Sequence, residues 1–152
     1  MPLLNQLMLE LGERLGIGPL VADPNGIYNI VYDNAVRLRM FESAASEELI
    51  VVSDVTDFSS AGLSAEGMRK LLVANFLWAF SARGSFALQP GSDVVQYCLR
   101  ESLKEMNLDV FEAMIKNVIA CILTCRRNLG SSQALEPLHA TMITPDSRLL
   151  KG

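Results

Sequence analysis

Three apolar-rich runs, IYNIVYD (27–33), VRLRMFES (36–43) and EELIVVSDV (47–55), follow one another at short intervals behind the turn signal Asp23-Pro24-Asn25-Gly26. Strands spaced so closely predict an antiparallel meander, which constrains the fold more than any other feature of the chain. The second run alternates cleanly, Val36, Leu38 and Met40 against Arg37 and Arg39, the pattern of a strand with one covered face and one wet face. Leu49-Ile50-Val51-Val52 has no polar face and predicts a central strand.

Helical patterns bracket the meander. Leu3, Leu4, Leu7, Met8, Leu11 and Leu15 share one face of an amphipathic helix, while Asn5, Gln6, Glu10, Glu13 and Arg14 take most of the remainder. This helix ends at Gly16-Ile17-Gly18-Pro19, where glycine can cap and proline cannot continue. Ser64 is a good N-cap for a second helix, with Glu66 near its positive end, reaching about Ala82. Gly84 to Gln89 and Asp93 to Ser102 read as two further strands about the turn Pro90-Gly91-Ser92. Asp109 and Glu112 form a capping box for the last helix, whose Val110, Phe111, Met114, Ile115, Val118, Ile119 and Ile122 mark a core face. The predicted class is α+β in the order α-βββ-α-ββ-α: a five-stranded, mainly antiparallel twisted sheet packed by three helices. It occupies residues 1–130 as one domain, and 131–152, rich in Ser, Thr, Pro and isolated leucines, reads as a loosely ordered C-terminal tail.

Within the second helix, residues 71–80 read LLVANFLWAF, with Asn75 the only polar side chain. A surface helix ordinarily keeps a wet face, and this stretch has none. On a helical wheel Met68, Leu71, Leu72 and Ala79 form a stripe suited to the subunit's own sheet. The opposite side starts polar with Glu66, Arg69 and Lys70, then becomes dry through Val73, Phe76, Leu77 and Phe80, with Trp78 between the two faces. A contiguous apolar patch of this kind marks a partner surface, and the simplest self-complementary arrangement is a two-fold homodimer. The competing explanation is that the tail or a loop covers the patch.

The 152 residues suit a single core, and half of them are hydrophobic, which leaves apolar surface to spare. A net charge of −4, with no basic cluster beyond Arg126 and Arg127, argues against nucleic acid as a partner. The N-terminus lacks the positive region of a secretory signal, and no apolar run approaches the roughly 20 residues needed to cross a bilayer, so a cytoplasmic protein without membrane insertion is expected. Cys98, Cys121 and Cys125 suggest no structural disulfide; Cys121 and Cys125 stand one helical turn apart and suit a buried helix face better than a metal site.

Catalytic constellations are hard to assemble. The single histidine, His139, lies in the tail, and Asp54 with Asp57 sit where aspartates commonly satisfy turn amides. Glycines form neither a dinucleotide fingerprint nor a phosphate-binding loop, so no cofactor or metal is expected, and binding is favoured over turnover. The apolar arc of helix one and the face of strand two could form a groove for an extended peptide, with a strand edge supplying backbone pairing, although Leu7 and Leu11 suit core packing better.

The element order, the opening LLNQLMLELGERLGI helix, the segment DPNGIYNIVYDN and the dimer-grade second helix together resemble the class I chaperones of bacterial type III secretion, the Tir-chaperone or CesT-like group, over roughly residues 3–129. The resemblance implies a homodimer in the bacterial cytoplasm that binds the extended N-terminal region of a secreted effector. It would keep that effector soluble and export-competent without hydrolysing ATP, and release it at the secretion ATPase. Carried over by position, it puts Val73, Phe76, Leu77, Trp78 and Phe80 at the dimer contact. It puts effector binding on the outward members of Leu4, Leu7, Met8, Leu11 and Leu15, together with Ile30, Tyr32, Leu38 and Met40. The tail has no assignable counterpart. Two rival readings stand beside it: a dimeric α+β scaffold or adaptor for a folded protein, and a small hydrolase or transferase using Asp54, Asp57 or a cysteine.

Overall fold

The computed structural model describes residues 2–57, 64–78 and 81–129. Helix α1 (Leu3–Leu15) buries Leu4, Leu7, Met8 and Leu11, the spacing that puts one stripe of a helix against a core. Gly16, left-handed at φ 67°, terminates it: the Gly16 N–H donates to the Glu13 carbonyl and the Ile17 N–H to the Gly12 carbonyl, both at 3.1 Å. Gly12 has a separate reason to be glycine, since a Cβ there would stand 2.2 Å from the Gly18 carbonyl oxygen of the crossing chain.

Strands β1 (Tyr28–Tyr32), β2 (Val36–Glu42) and β3 (Glu48–Asp57) form the expected meander. The turn before it is held by Asp23, whose carboxylate accepts the N–H groups of Asn25 at 2.8 Å and Ile27 at 3.0 Å. Strands β4 (Ser85–Leu88) and β5 (Val94–Ser102) complete a five-stranded sheet of order β1-β2-β3-β5-β4, antiparallel at every junction. The run at residues 49–52 is therefore central, as its missing polar face implied.

One sheet face carries the core: Tyr28 and Ile30, Val36, Leu38 and Met40, Leu49, Val51 and Val55, Val95, Tyr97 and Leu99, and Phe86. Helices α1 and α3 (Leu108–Leu129) join that cluster, α3 through Phe111, Ile115, Val118, Ile119, Cys121, Ile122 and Cys125. Arg14 of α1 reaches Asp109 at 2.6 Å and Glu112 at 2.8 Å on α3. These two acids therefore serve the helix–helix junction. The cap of α3 is instead Asn107, whose side-chain oxygen accepts the Val110 N–H at 3.0 Å, which corrects the expected capping box. A bulge between Asp54 and Thr56 turns strand carbonyls out of the β3–β5 ladder. Arg126 of α3 donates to the Val55 carbonyl at 2.6 Å, the Asp54 carbonyl at 2.9 Å and the Ala35 carbonyl.

Helix α2 (Ala65–Asn75) starts where expected, with the Ser64 hydroxyl accepting the Gly67 N–H at 3.0 Å. Its course departs from expectation in two ways. The buried stripe is Gly67, Leu71 and Ala74, whereas Met68 and Leu72 are exposed; the small residues let the helix approach β4 closely. The helix also ends at Asn75 instead of continuing to Ala82, and a single 3-10 turn (Phe76–Trp78) follows. At that end the Asn75 carboxamide turns to β4 and bonds both backbone groups of Phe86. Lys70 donates to the Asn128 carbonyl at 2.9 Å, tying α2 to the last turn of α3.

Candidate interaction surfaces

Large apolar residues of α2 and of the 3-10 turn after it stay out of the core and are exposed. Leu72 is 72% exposed, Phe76 70%, Leu77 71% and Trp78 58%, and Met68 and Val73 are exposed beside them. Four positions of the expected dimer contact, Val73, Phe76, Leu77 and Trp78, are thus exposed among the described residues, and Met68 and Leu72 join them from the face assigned to the core. The fifth, Phe80, lies outside the described residues, as do Ala79 and the tail. A cluster of large apolar side chains left exposed on a helix marks a partner surface. Sequence reasoning missed Met68 and Leu72 because a wheel weighted by hydrophobicity alone assigns large residues inward, whereas the sheet selected the small side.

The connection after α2 is anchored at its far end. The Tyr97 hydroxyl donates to the Ser81 carbonyl at 2.8 Å and the Ala82 carbonyl at 3.1 Å, and the buried Ser81 hydroxyl donates to the Gly84 carbonyl at 2.7 Å. Burial holds the Tyr97 phenol protonated well above its ordinary range. Gly84 has to be glycine, because a Cβ would meet the Tyr97 ring at 2.3 Å. Phe86 packs edge-on to that ring with centroids 5.5 Å apart.

Of the residues carried over for effector binding, Leu4, Leu7, Met8, Leu11, Ile30, Leu38 and Met40 are buried in the subunit's own core and present no surface to a partner. Alternation explains the error: β2 puts Val36, Leu38 and Met40 beneath α1 and α3, and parity sends the intervening residues outward. Leu15 and Tyr32 are half-buried and keep accessible area. The outward face of the sheet instead carries Val31, Phe41, Ile50 and Val52, all half-buried, as their register with Arg37, Arg39 and Arg100 requires. Its charges are largely paired. Arg39 meets Asp54 at 3.0 Å, Gln96 donates to the same carboxylate at 2.7 Å, and Arg100 holds Glu48.

Strand β1 ends the sheet, so its outer edge has no strand partner among the described residues. Helix α1 lies over this strand, with the Tyr28 hydroxyl donating to the Asn5 side chain at 2.7 Å. Asp54, considered above as an acid–base residue, is the exposed acceptor for Arg39 and Gln96; Asp57 ends β3. Cys121 and Cys125 are buried on α3 and their thiols are pushed up to about 12 by desolvation, so both remain protonated. Cys98 is exposed on the outward sheet face. No helix among the described residues is long and apolar enough to cross a membrane.

Several solved structures share this architecture. The complex of ExsC with ExsE aligns with a TM-score of 0.72 at 23% identity, covering 86% of this chain and 96% of that one. The HopA1–SchA chaperone–effector complex gives 0.69 at 16%, covering 82% and 94%. The Yersinia pestis type III secretion chaperone SycH, in complex with a fragment of YscM2, gives 0.63 at 12%, covering 80% and 98%. At these identities the likeness is one of fold. No curated protein sequence matches the chain. The family model for the Tir chaperone protein (CesT) family matches residues 6–125, from within α1 to the last turns of α3. The chain belongs to the Tir chaperone protein (CesT) family.

Proposed function

We propose that this chain is a homodimeric type III secretion chaperone that holds the N-terminal region of an effector in extended form and acts without hydrolysing ATP. The observation that carries the dimer is the set of large apolar side chains that α2 and the turn after it leave exposed among the described residues: Met68, Leu72, Val73, Phe76, Leu77 and Trp78. Family membership supports the chaperone role, and the related folds include one described as a chaperone–effector complex and one holding a fragment of YscM2.

The client track follows from what remains accessible. The outer edge of β1 offers unpaired backbone groups to an extended segment, and Tyr32, Leu15 and the outward residues Val31, Phe41, Ile50 and Val52 offer apolar contacts near it and across the sheet. An extended client loses conformational entropy on binding, which several separate contacts and a second subunit's track offset. Such binding needs no nucleotide; release would fall to the secretion ATPase, in the bacterial cytoplasm.

Co-expression with candidate secreted proteins, followed by limited proteolysis of what co-purifies, tests the reading. Protection of an extended N-terminal segment that is otherwise cleaved is the expected result. Protection confined to a folded domain would replace it with the scaffold reading.

A further inference from the structure

Among the described residues of the connection from α2 to β4, four have positive φ without being glycine: Leu77 (49°) and Trp78 (57°), then Ala82 (46°) and Arg83 (70°). L-residues adopt this region at a cost, and the conformation persists where surrounding contacts impose it. The two pairs differ in that respect. Ala82 and Arg83 lie inside the network of Tyr97, Ser81 and Gly84, two of whose members are fully buried. Leu77 and Trp78 are exposed, and the backbone bonds beside them include the Phe76 N–H to the Val73 carbonyl and a 3.4 Å bond from the Ser81 N–H to the Trp78 carbonyl.

Nothing in the local sequence imposes the break. From Met68 to Arg83 there is neither glycine nor proline, and alanine and leucine favour helix. In helical geometry Val73, Phe76 and Leu77 share one sector, whereas the left-handed pair turns Leu77 and Trp78 off it. A second copy packed on α2 gains most when that row is straight.

We infer that Phe76–Trp78 is a conformational switch: it is kinked in the isolated subunit and winds onto α2 as regular helix when a second copy covers this face. The inference rests on the dimer reading above. It makes self-association a coupled folding step in which relief of the left-handed pair and burial of the row occur together.

The test compares glycine with alanine at one position. Leu77→Gly and Leu77→Ala both remove the side chain, but glycine relaxes the left-handed monomer and disfavours the helix. Because both subunits change, the glycine variant self-associates more weakly than the alanine variant by on the order of 100-fold in sedimentation equilibrium. At Leu72, helical in either state, the same pair of substitutions gives equal dissociation constants. Equal constants at Leu77 would overturn the switch while leaving the dimer intact. A Leu72→Asp chain that still self-associates like the parent would instead overturn the α2 interface, and the switch with it. Both Leu77 variants alter an exposed side chain outside the core, so the folded subunit survives for measurement.

Discussion

Asn75 and Phe86 are joined by two hydrogen bonds: the Asn75 carboxamide donates to the Phe86 carbonyl at 2.9 Å and accepts the Phe86 N–H at 2.8 Å. A side chain thereby takes the place of a strand neighbour on the terminal strand β4, closing part of an edge that could pair with another chain. Asn75→Ala removes both bonds and leaves the Phe86 groups without these partners, so it lowers unfolding stability by about 2 kcal/mol. Urea denaturation measures it, and an unchanged midpoint would show that the clamp contributes nothing.

The dimer reading makes a prediction at neighbouring residues. Leu77→Asp and Phe80→Asp each put a carboxylate into the proposed two-fold contact, where desolvation without a partner is costly. The variants run as monomer or aggregate where the parent sediments as dimer. Trp78, the sole tryptophan, reports the same event: its emission shifts to the blue as the parent associates, and stays red in Leu77→Asp. A Leu77→Asp chain that sediments as a normal dimer would remove α2 from the interface.

How much of this was legible beforehand depends on the kind of signal. Strand alternation in VRLRMFES and the cap at Ser64 are local signals, and the structure has both. Element order followed from such signals. Three features depend on distant residues. Asp109 and Glu112 read as a capping box until Arg14, far away in sequence, is placed between them. That Met40 is buried by its own subunit depends on the helices α1 and α3 packing on that face, since alternation marks the apolar face without saying whether the chain itself or a client covers it. The turn of Asn75 toward Phe86 at the last residue of α2 depends on a strand ten residues further on, a contact invisible to any wheel. The exposed apolar side chains of α2 were legible in part, because an excess of large apolar residues needs no distant partner to be noticed.

Ser53 offers a test of core accounting. It sits on β3 between Val51 and Val55, facing inward and fully buried, and its hydroxyl has no hydrogen-bond partner among the described residues. A buried hydroxyl left unpaired carries its desolvation cost without compensation. Ser53→Ala removes that cost and leaves only a small void, so the variant gains about 1 kcal/mol, read as a higher thermal midpoint. A drop in the midpoint would mean that the hydroxyl is bonded in solution.

The α1–α3 junction predicts an acid dependence of stability. Glu112 receives Lys116 and Arg14, and those hydrogen bonds hold its carboxyl below the ordinary value near 4.5. A carboxyl whose pKa is lower in the folded than in the unfolded chain binds fewer protons when folded over the interval between the two values. Its contribution is therefore fully present above about 4.5 and is lost as the pH falls through the lower, folded-state value. Glu48, held low by Arg100 and Ser46, adds a contribution of the same sign from a more solvated site. Glu112→Gln keeps the size of the side chain and abolishes its titration, so the variant is less stable at neutral pH and loses less on acidification. Denaturation midpoints measured from pH 7 down to pH 3 should converge for parent and variant. Parallel curves across that range would show that the carboxylate of Glu112 does not couple folding to protons.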